Sequence, residues 1–145
     1  MKKKILVIGS LNMDFLIETD KIPAPGETVL GHSVGHIPGG KGANQAYAAG
    51  KLDGNVSMIG AVGDDPYGKE LIRSLTSAGV DTSGIEVCRD TPTGQAYIAL
   101  DSSGENSIIV IPGANQSVTP ELIQKHMALV DSCDYILTQF EIPLD

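Results

Sequence analysis

Positive charge is scarce in this sequence. Ten basic residues stand against eighteen acidic ones, a formal charge of -8, and beyond Lys2, Lys3 and Lys4 the chain has no basic patch. A nucleic acid or an anionic membrane needs such a patch, so neither is an expected partner. Cysteine is scarcer still: Cys88 and Cys133 are isolated thiols without metal-ligand or redox spacing, and a reducing cytoplasm fits them best. No apolar run approaches the roughly 18 residues that a transmembrane helix requires. The three lysines followed by Ile5 to Ile8 imitate the start of a signal peptide. The run stops at Gly9 and Ser10, however, and Asn12 and Asp14 follow without a small-residue cleavage site. The glycosylation patterns at Asn55 and Asn115 therefore carry no weight. There is no internal repeat and no low-complexity segment.

What is present is a chain of 145 residues, 41% hydrophobic and 19% charged. That composition excludes a disordered tail, a coiled coil or a collagen-like repeat, and the length suits one domain with a real core. Short apolar runs at Ile5 to Ile8, Val56 to Ile59 and Tyr135 to Leu137 alternate with helical patterns, as in an α/β protein with a mostly parallel sheet. A first helix is expected from about Lys41 to Leu52, with Ala43, Ala46, Tyr47 and Gly50 on its inner face. A second has Asp65 as N-cap and Pro66 at its first position, presents Tyr67, Leu71, Leu75 and Ala78, and stops at Gly79. A third starts at Thr119 and Pro120, faces Ile123, Met127 and Val130 inward, and ends near Asp131.

Two stretches interrupt this rhythm. Phe15 to Ile37 is far longer than a plain strand-to-helix connection, so it reads as an insertion. Gln95 to Leu100 and Ser107 to Ile111 flank Ser102-Ser103-Gly104-Glu105 and read as a β-hairpin. Together, about residues 14–38 and 93–111 are expected to form a small antiparallel lid over one sheet edge.

In open α/β sheets, ligands bind beyond the carboxyl ends of the parallel strands. Asn12 and Asp14, two apart, share a side if extended and offer groups suited to paired hydroxyls; taken alone they read first as a turn cap. Gly39-Gly40-Lys41-Gly42-Ala43-Asn44 opens the first helix, where bare backbone suits an alcohol or an anion, or simply a tight turn. It is neither a Walker A loop nor a dinucleotide fingerprint. Glu141 follows the last strand and is expected on the same rim as Asn12, Asp14 and Asn44, completing a polar ring around a small concavity. His32 and His36 lie in a Gly-rich extended segment that would not stack them for a metal, and no metal site is expected. Asp64 and Asp65 read as loop and cap, Asp101 and Glu105 as turn residues, and His126 as a surface helix residue.

Gly9-Ser10-Leu11-Asn12-Met13-Asp14, Pro25-Gly26-Glu27-Thr28 and Gly39 to Ala46 together resemble the ribokinase type of the phosphofructokinase-B family of carbohydrate kinases. Further matches in family order are Gly60 to Asp65 with Gly68, Thr93-Gly94, Gly113-Ala114-Asn115 and Gln139 to Pro143. The resemblance implies a Rossmann-like α/β fold, with residues 1–145 forming the amino-terminal part of one ribokinase-like domain. It implies ATP-dependent phosphorylation of the 5-hydroxyl of D-ribose, under a β lid that also makes a dimer contact. Asn12, Met13, Asp14, Gly40, Lys41, Gly42, Ala43, Asn44 and Glu141 would then hold the sugar, with Ala96 and Val110 closing over its ring.

The same resemblance leaves a gap. Family members take their catalytic base from the Asp of a Gly-Ala-Gly-Asp turn, which this sequence lacks, so no catalytic residue is assigned. ATP, Mg2+ and a monovalent cation are expected for a complete enzyme and none for this chain alone. The alternative is a non-catalytic module that binds pentose weakly or self-associates, through the lid or an exposed sheet edge.

Overall fold

A computed structural model describes residues 2–143; residues 1, 144 and 145, the ends of the expected domain, lie outside the described residues. The first sheet is fully parallel. It contains β1 (Lys4–Ile8), β4 (Asn55–Gly63), β5 (Asp81–Cys88) and β8 (Tyr135–Thr138), in the order β5-β4-β1-β8. Both faces of its central strands are covered, which explains why they read as continuous apolar runs. Val7, Val56, Met58 and Val62 point to one side, where α1 (Lys41–Lys51) and α2 (Pro66–Ser77) add Ala43, Ala46, Leu71 and Leu75. Leu6, Ile8, Ile59 and Ala61 point to the other, against Ala114, Val118, Leu122 and Ile142.

The two insertions build a second sheet from β2 (Asn12–Thr19), β3 (Gly31–Gly39), β6 (Gly94–Leu100) and β7 (Asn106–Ile111), in the order β3-β2-β6-β7. The β2–β3 and β6–β7 pairings are antiparallel, the latter closed by the expected hairpin. The β2–β6 pairing that joins the two insertions is parallel, because both strands leave the main sheet in the same direction.

The second helix is as its sequence indicates. Pro66 opens it, the Gly68 N–H donates to the Asp65 side chain at 2.8 Å, and Gly79 follows at φ +82°. Three features differ from the sequence reading. In α1, Tyr47 is 37% exposed, with the Lys51 ammonium 5.4 Å from its ring centre; the closest approach to the sheet belongs to Gly42, which packs on the backbone of Gly9 and Ser10. The expected third helix is two short ones, α3 (Pro120–Lys125) and α4 (Met127–Ser132), joined at His126, and Thr119 gives its start no side-chain cap. Leu122 before the break and Leu129 and Val130 after it reach the same apolar cluster. Strand β5 was not anticipated because it is a polar edge strand with Gly84 at its centre.

Candidate functional site

The two sheets meet where β1 gives way to β2. Asn12 and Asp14 are the first and third residues of β2 and therefore share a face. The β2–β6 and β6–β7 registers align Asp14 with Ala96 and Val110, and set Ile98 beside Ile108 one step along the same face. Across from this apolar wall, the glycine turn delivers Gly40, Lys41 and Asn44 at the start of α1, and the segment after β8 delivers Glu141. These ten residues line one hollow of about 140 Å³.

The turn needs glycine at position 40, which caps α1 at φ +91° with the backbone of Ser10, Leu11 and Asn12 within 3 Å of where a Cβ would stand. The turn does not hold its N–H groups free for a ligand. The Lys41 N–H points to Glu141 Oε2 at 3.4 Å, the Gly42 N–H to Ser10 Oγ at 3.4 Å, and the Ala43 N–H donates to the Ser10 carbonyl at 2.9 Å. The anion at this helix N-terminus is thus the protein's own Glu141 carboxylate, in the place that the helix dipole favours. Glu141 also accepts from the Ser10 hydroxyl at 2.7 Å and pairs with the Lys41 ammonium at 2.5 Å.

Partial burial pushes the Glu141 carboxyl up, but the hydrogen bonds from Lys41 and Ser10 outweigh it and hold the group below its ordinary range. Asp14 has the opposite balance. Burial raises its pKa, the charge of Glu141 raises it further, and Lys41 compensates only in part. Asp14 accepts no hydrogen bond among the described residues. The hollow therefore presents one tied carboxylate, one carboxylate without a donor, an ammonium and two amides against an apolar wall, a set matched to a small polyhydroxylated molecule.

Of the residues named from sequence, Asn12, Asp14, Gly40, Lys41, Asn44, Ala96, Val110 and Glu141 come together here. Met13 does not: its side chain is fully buried in the core on the opposite face of β2. Gly42 and Ala43 are likewise buried beneath the turn, as packing residues. Ile98 and Ile108 were missed, although their spacing of two from Ala96 and Val110 is the signal that finds them. Ser10 and Asn115 were also missed as supports of the site. His32 bonds to Asp20 at 2.9 Å, and His36 lies 3.6 Å from Glu70; among the described residues no three His, Cys, Asp or Glu side chains cluster as metal ligands do. A larger hollow, about 300 Å³ between α1, α2 and β3, is lined mainly by Pro38, Ala43, Tyr47, Leu71 and Leu75 and contains no charged group. Among the described residues no helix is long and apolar enough to cross a membrane.

Known proteins share this fold. The chain is 45% identical over 141 residues to a ribokinase of Bacillus subtilis, covering 97% of this chain and 48% of that protein. It is 39% identical over 141 residues to a deoxyribokinase of Salmonella typhi, covering 97% and 46%. Among solved structures, ribokinase from Giardia lamblia superposes with a TM-score of 0.90 at 35% identity, over 99% of this chain and 43% of that one. Arabidopsis thaliana ribokinase complexed with ribose and ATP gives 0.86 at 35% identity, over 99% and 47%. The chain spans about half the length of the curated relatives it matches. The pattern of the pfkB family carbohydrate kinases runs through residues 2–139, across both sheets and the glycine turn between them, and the chain belongs to that family.

Proposed function

We propose that this chain is the sugar-holding part of a ribokinase-type kinase, with D-ribose or a related pentose as ligand and its 5-hydroxyl as the phosphoryl acceptor in the complete enzyme. The observation that carries the reading is the convergence of Asn12, Asp14, Asn44, Lys41 and Glu141 on one small hollow. Asp14 and Glu141 accept from sugar hydroxyls, Asn12 and Lys41 donate to sugar oxygens, and Asn44 is able to do either. Ala96, Ile98, Ile108 and Val110 cover the C–H face of the ring, which makes the second sheet, from insertions at about 14–38 and 93–111, a lid. The names of the relatives, and the ribose and ATP held by the Arabidopsis thaliana protein, support this assignment.

This hollow does not fit the triphosphate. A phosphate cradle needs free N–H groups and positive charge, whereas the amides at the start of α1 are engaged by Glu141 and Ser10 and the hollow carries two carboxylates. We therefore place ATP, Mg2+, the monovalent cation and the catalytic base outside this chain, in the cytoplasmic enzyme's other part, and expect no turnover from these 145 residues alone.

Calorimetric titration with ribose, together with an ATP-consumption assay, tests the proposal. Binding that is lost in Asp14→Ala, without ATP consumption, is the expected outcome. Unchanged binding in that variant, or ribose-dependent ATP turnover by the chain itself, overturns it.

A second reading rests on a different observation. Edge strand β8 exposes Tyr135, Ile136 and Leu137, and edge strand β7 exposes Ile108 to Ile111. A non-catalytic module that self-associates through the lid or the exposed sheet edge would bury these rows. Sedimentation at increasing concentration distinguishes it: a strict monomer excludes self-association. Turnover restored by a separately expressed carboxyl half of a ribokinase favours the enzyme.

A further inference from the structure

We infer that Asn115, which does not line the hollow, dictates which end of the Asn12 amide faces a ligand, and that Gly94 leaves the space for it to do so. The pentose reading above supplies only the consequence of this geometry.

Asn115 is 1% exposed, in the 3-10 turn Gly113–Ser117. The Leu11 N–H donates to Asn115 Oδ1 at 2.8 Å, and Asn115 Nδ2 donates to the Leu11 carbonyl at 3.2 Å. A backbone N–H only donates and a carbonyl only accepts, so Leu11 leaves the Asn115 amide one orientation. The remaining Asn115 Nδ2 proton goes to Asn12 Oδ1 at 2.7 Å. An Asn12 nitrogen in that place would meet donor with donor. Asn12 is therefore held with its oxygen inward and its NH2 towards the hollow, where that NH2 has no other partner among the described residues. The fixed polarity of one peptide unit is thus relayed through two side chains to the ligand face.

Gly94 is an independent observation of the same device. It stands opposite Asn12 in the β2–β6 register. A Cβ on it would lie 2.2 Å from Asn115 Nδ2 and 2.3 Å from Asn12 Oδ1, on the hydrogen bond itself. Glycine is needed here for space. The consequence for specificity is that the ligand group facing Asn12 must accept: a hydroxyl or ether oxygen satisfies it, and a protonated amine does not. Asn115 is thus a positioning residue acting through Asn12.

The test combines ribose calorimetry on Asn12→Ala, Asn115→Ala, their double variant and Gly94→Ala with 15N exchange spectroscopy of side-chain amides in the unsubstituted chain. Each single substitution is expected to weaken ribose binding by about tenfold, the worth of one hydrogen bond. The double variant is expected to be no weaker than Asn12→Ala, because one interaction is removed twice. Asn115→Ala and Gly94→Ala binding like the parent, while Asn12→Ala loses affinity, overturns the inference and leaves the pentose reading standing. No effect of Asn12→Ala overturns the part of that reading that rests on Asn12 instead. The spectroscopy decides the geometry even if Asn115→Ala does not fold. Slow exchange at the Asn115 NH2 with fast exchange at the Asn12 NH2 is expected, and an Asn12 NH2 as protected as that of Asn115 overturns the inference.

Discussion

Ser10 and Glu141, 131 residues apart in the chain, are joined by a hydrogen bond of 2.7 Å from the serine hydroxyl to a carboxylate oxygen. That bond and the Lys41 ion pair bring the end of the last strand back to the beginning of the first helix. They also keep Glu141 ionised to lower pH than an ordinary glutamate. A carboxyl bound more weakly by protons in the folded state stabilises that state above its unfolded pKa, and the contribution is lost as pH falls through the lower folded value. Glu141→Gln is expected to lower the thermal midpoint at pH 7, with the gap to the parent closing as pH drops below about 4.5, the ordinary glutamate value. Thermal unfolding followed from pH 7 to 3 checks this; a gap that persists at pH 3 is the contrary result.

Asp14 predicts the opposite sign. Burial and the neighbouring Glu141 raise its pKa, so the folded state binds the proton more tightly than the unfolded chain. Ionisation therefore costs stability as pH rises from 3.8 through the raised folded value, and the full cost remains at neutral pH. Asp14→Asn is expected to raise the thermal midpoint at pH 7, to leave it unchanged below pH 3.8, and to lose ribose affinity. Such an exchange of stability for function is common at binding sites. A lower midpoint at pH 7 contradicts the argument.

At Gly40 an alanine is expected to destabilise the chain by about 1–3 kcal/mol, because it adds a left-handed backbone conformation to overlap with the backbone of Ser10 to Asn12. Urea unfolding measures this. A loss no larger than that of Gly26→Ala, where φ is also positive but a Cβ meets nothing within 4 Å, shows that close approach is not the cause.

Asp65 does more than cap α2. Its carboxylate also accepts from the Thr93 N–H at 2.8 Å and the Thr93 hydroxyl at 2.7 Å, just before β6 begins. Asp65→Ala is expected to cost about 1–2 kcal/mol as a lost cap and to speed amide hydrogen exchange in β6 and β7 as well as in the first turn of α2. Faster exchange confined to α2 argues against a tether.

Local signals were legible from residues alone. Pro66 after Asp65 and Gly79 at the end mark α2, the interrupted apolar runs mark the parallel sheet, and the turn at Ser102 to Glu105 marks the hairpin. Each rests on the conformational preference of neighbouring residues. The hinge at His126, strand β5, and the outward turn of Tyr47 were not legible, since each depends on what packs against the element. At the site, Asn12, Asp14, Asn44 and Glu141 were legible from their positions after strands and at a helix start. Ile98 and Ile108 became visible once the β6–β7 register paired them.

Local sequence was enough to establish the α/β class, the glycine turn, the family and most polar groups of the hollow, because periodicity, caps and motifs are properties of short stretches. The tertiary structure alone decided that Glu141, not a ligand, occupies the start of α1, that Met13 belongs to the core, and that Asn12 offers its NH2. Those outcomes depend on hydrogen bonds and packing between residues 100 or more positions apart, or on which face of a strand meets the core, and no local preference encodes them.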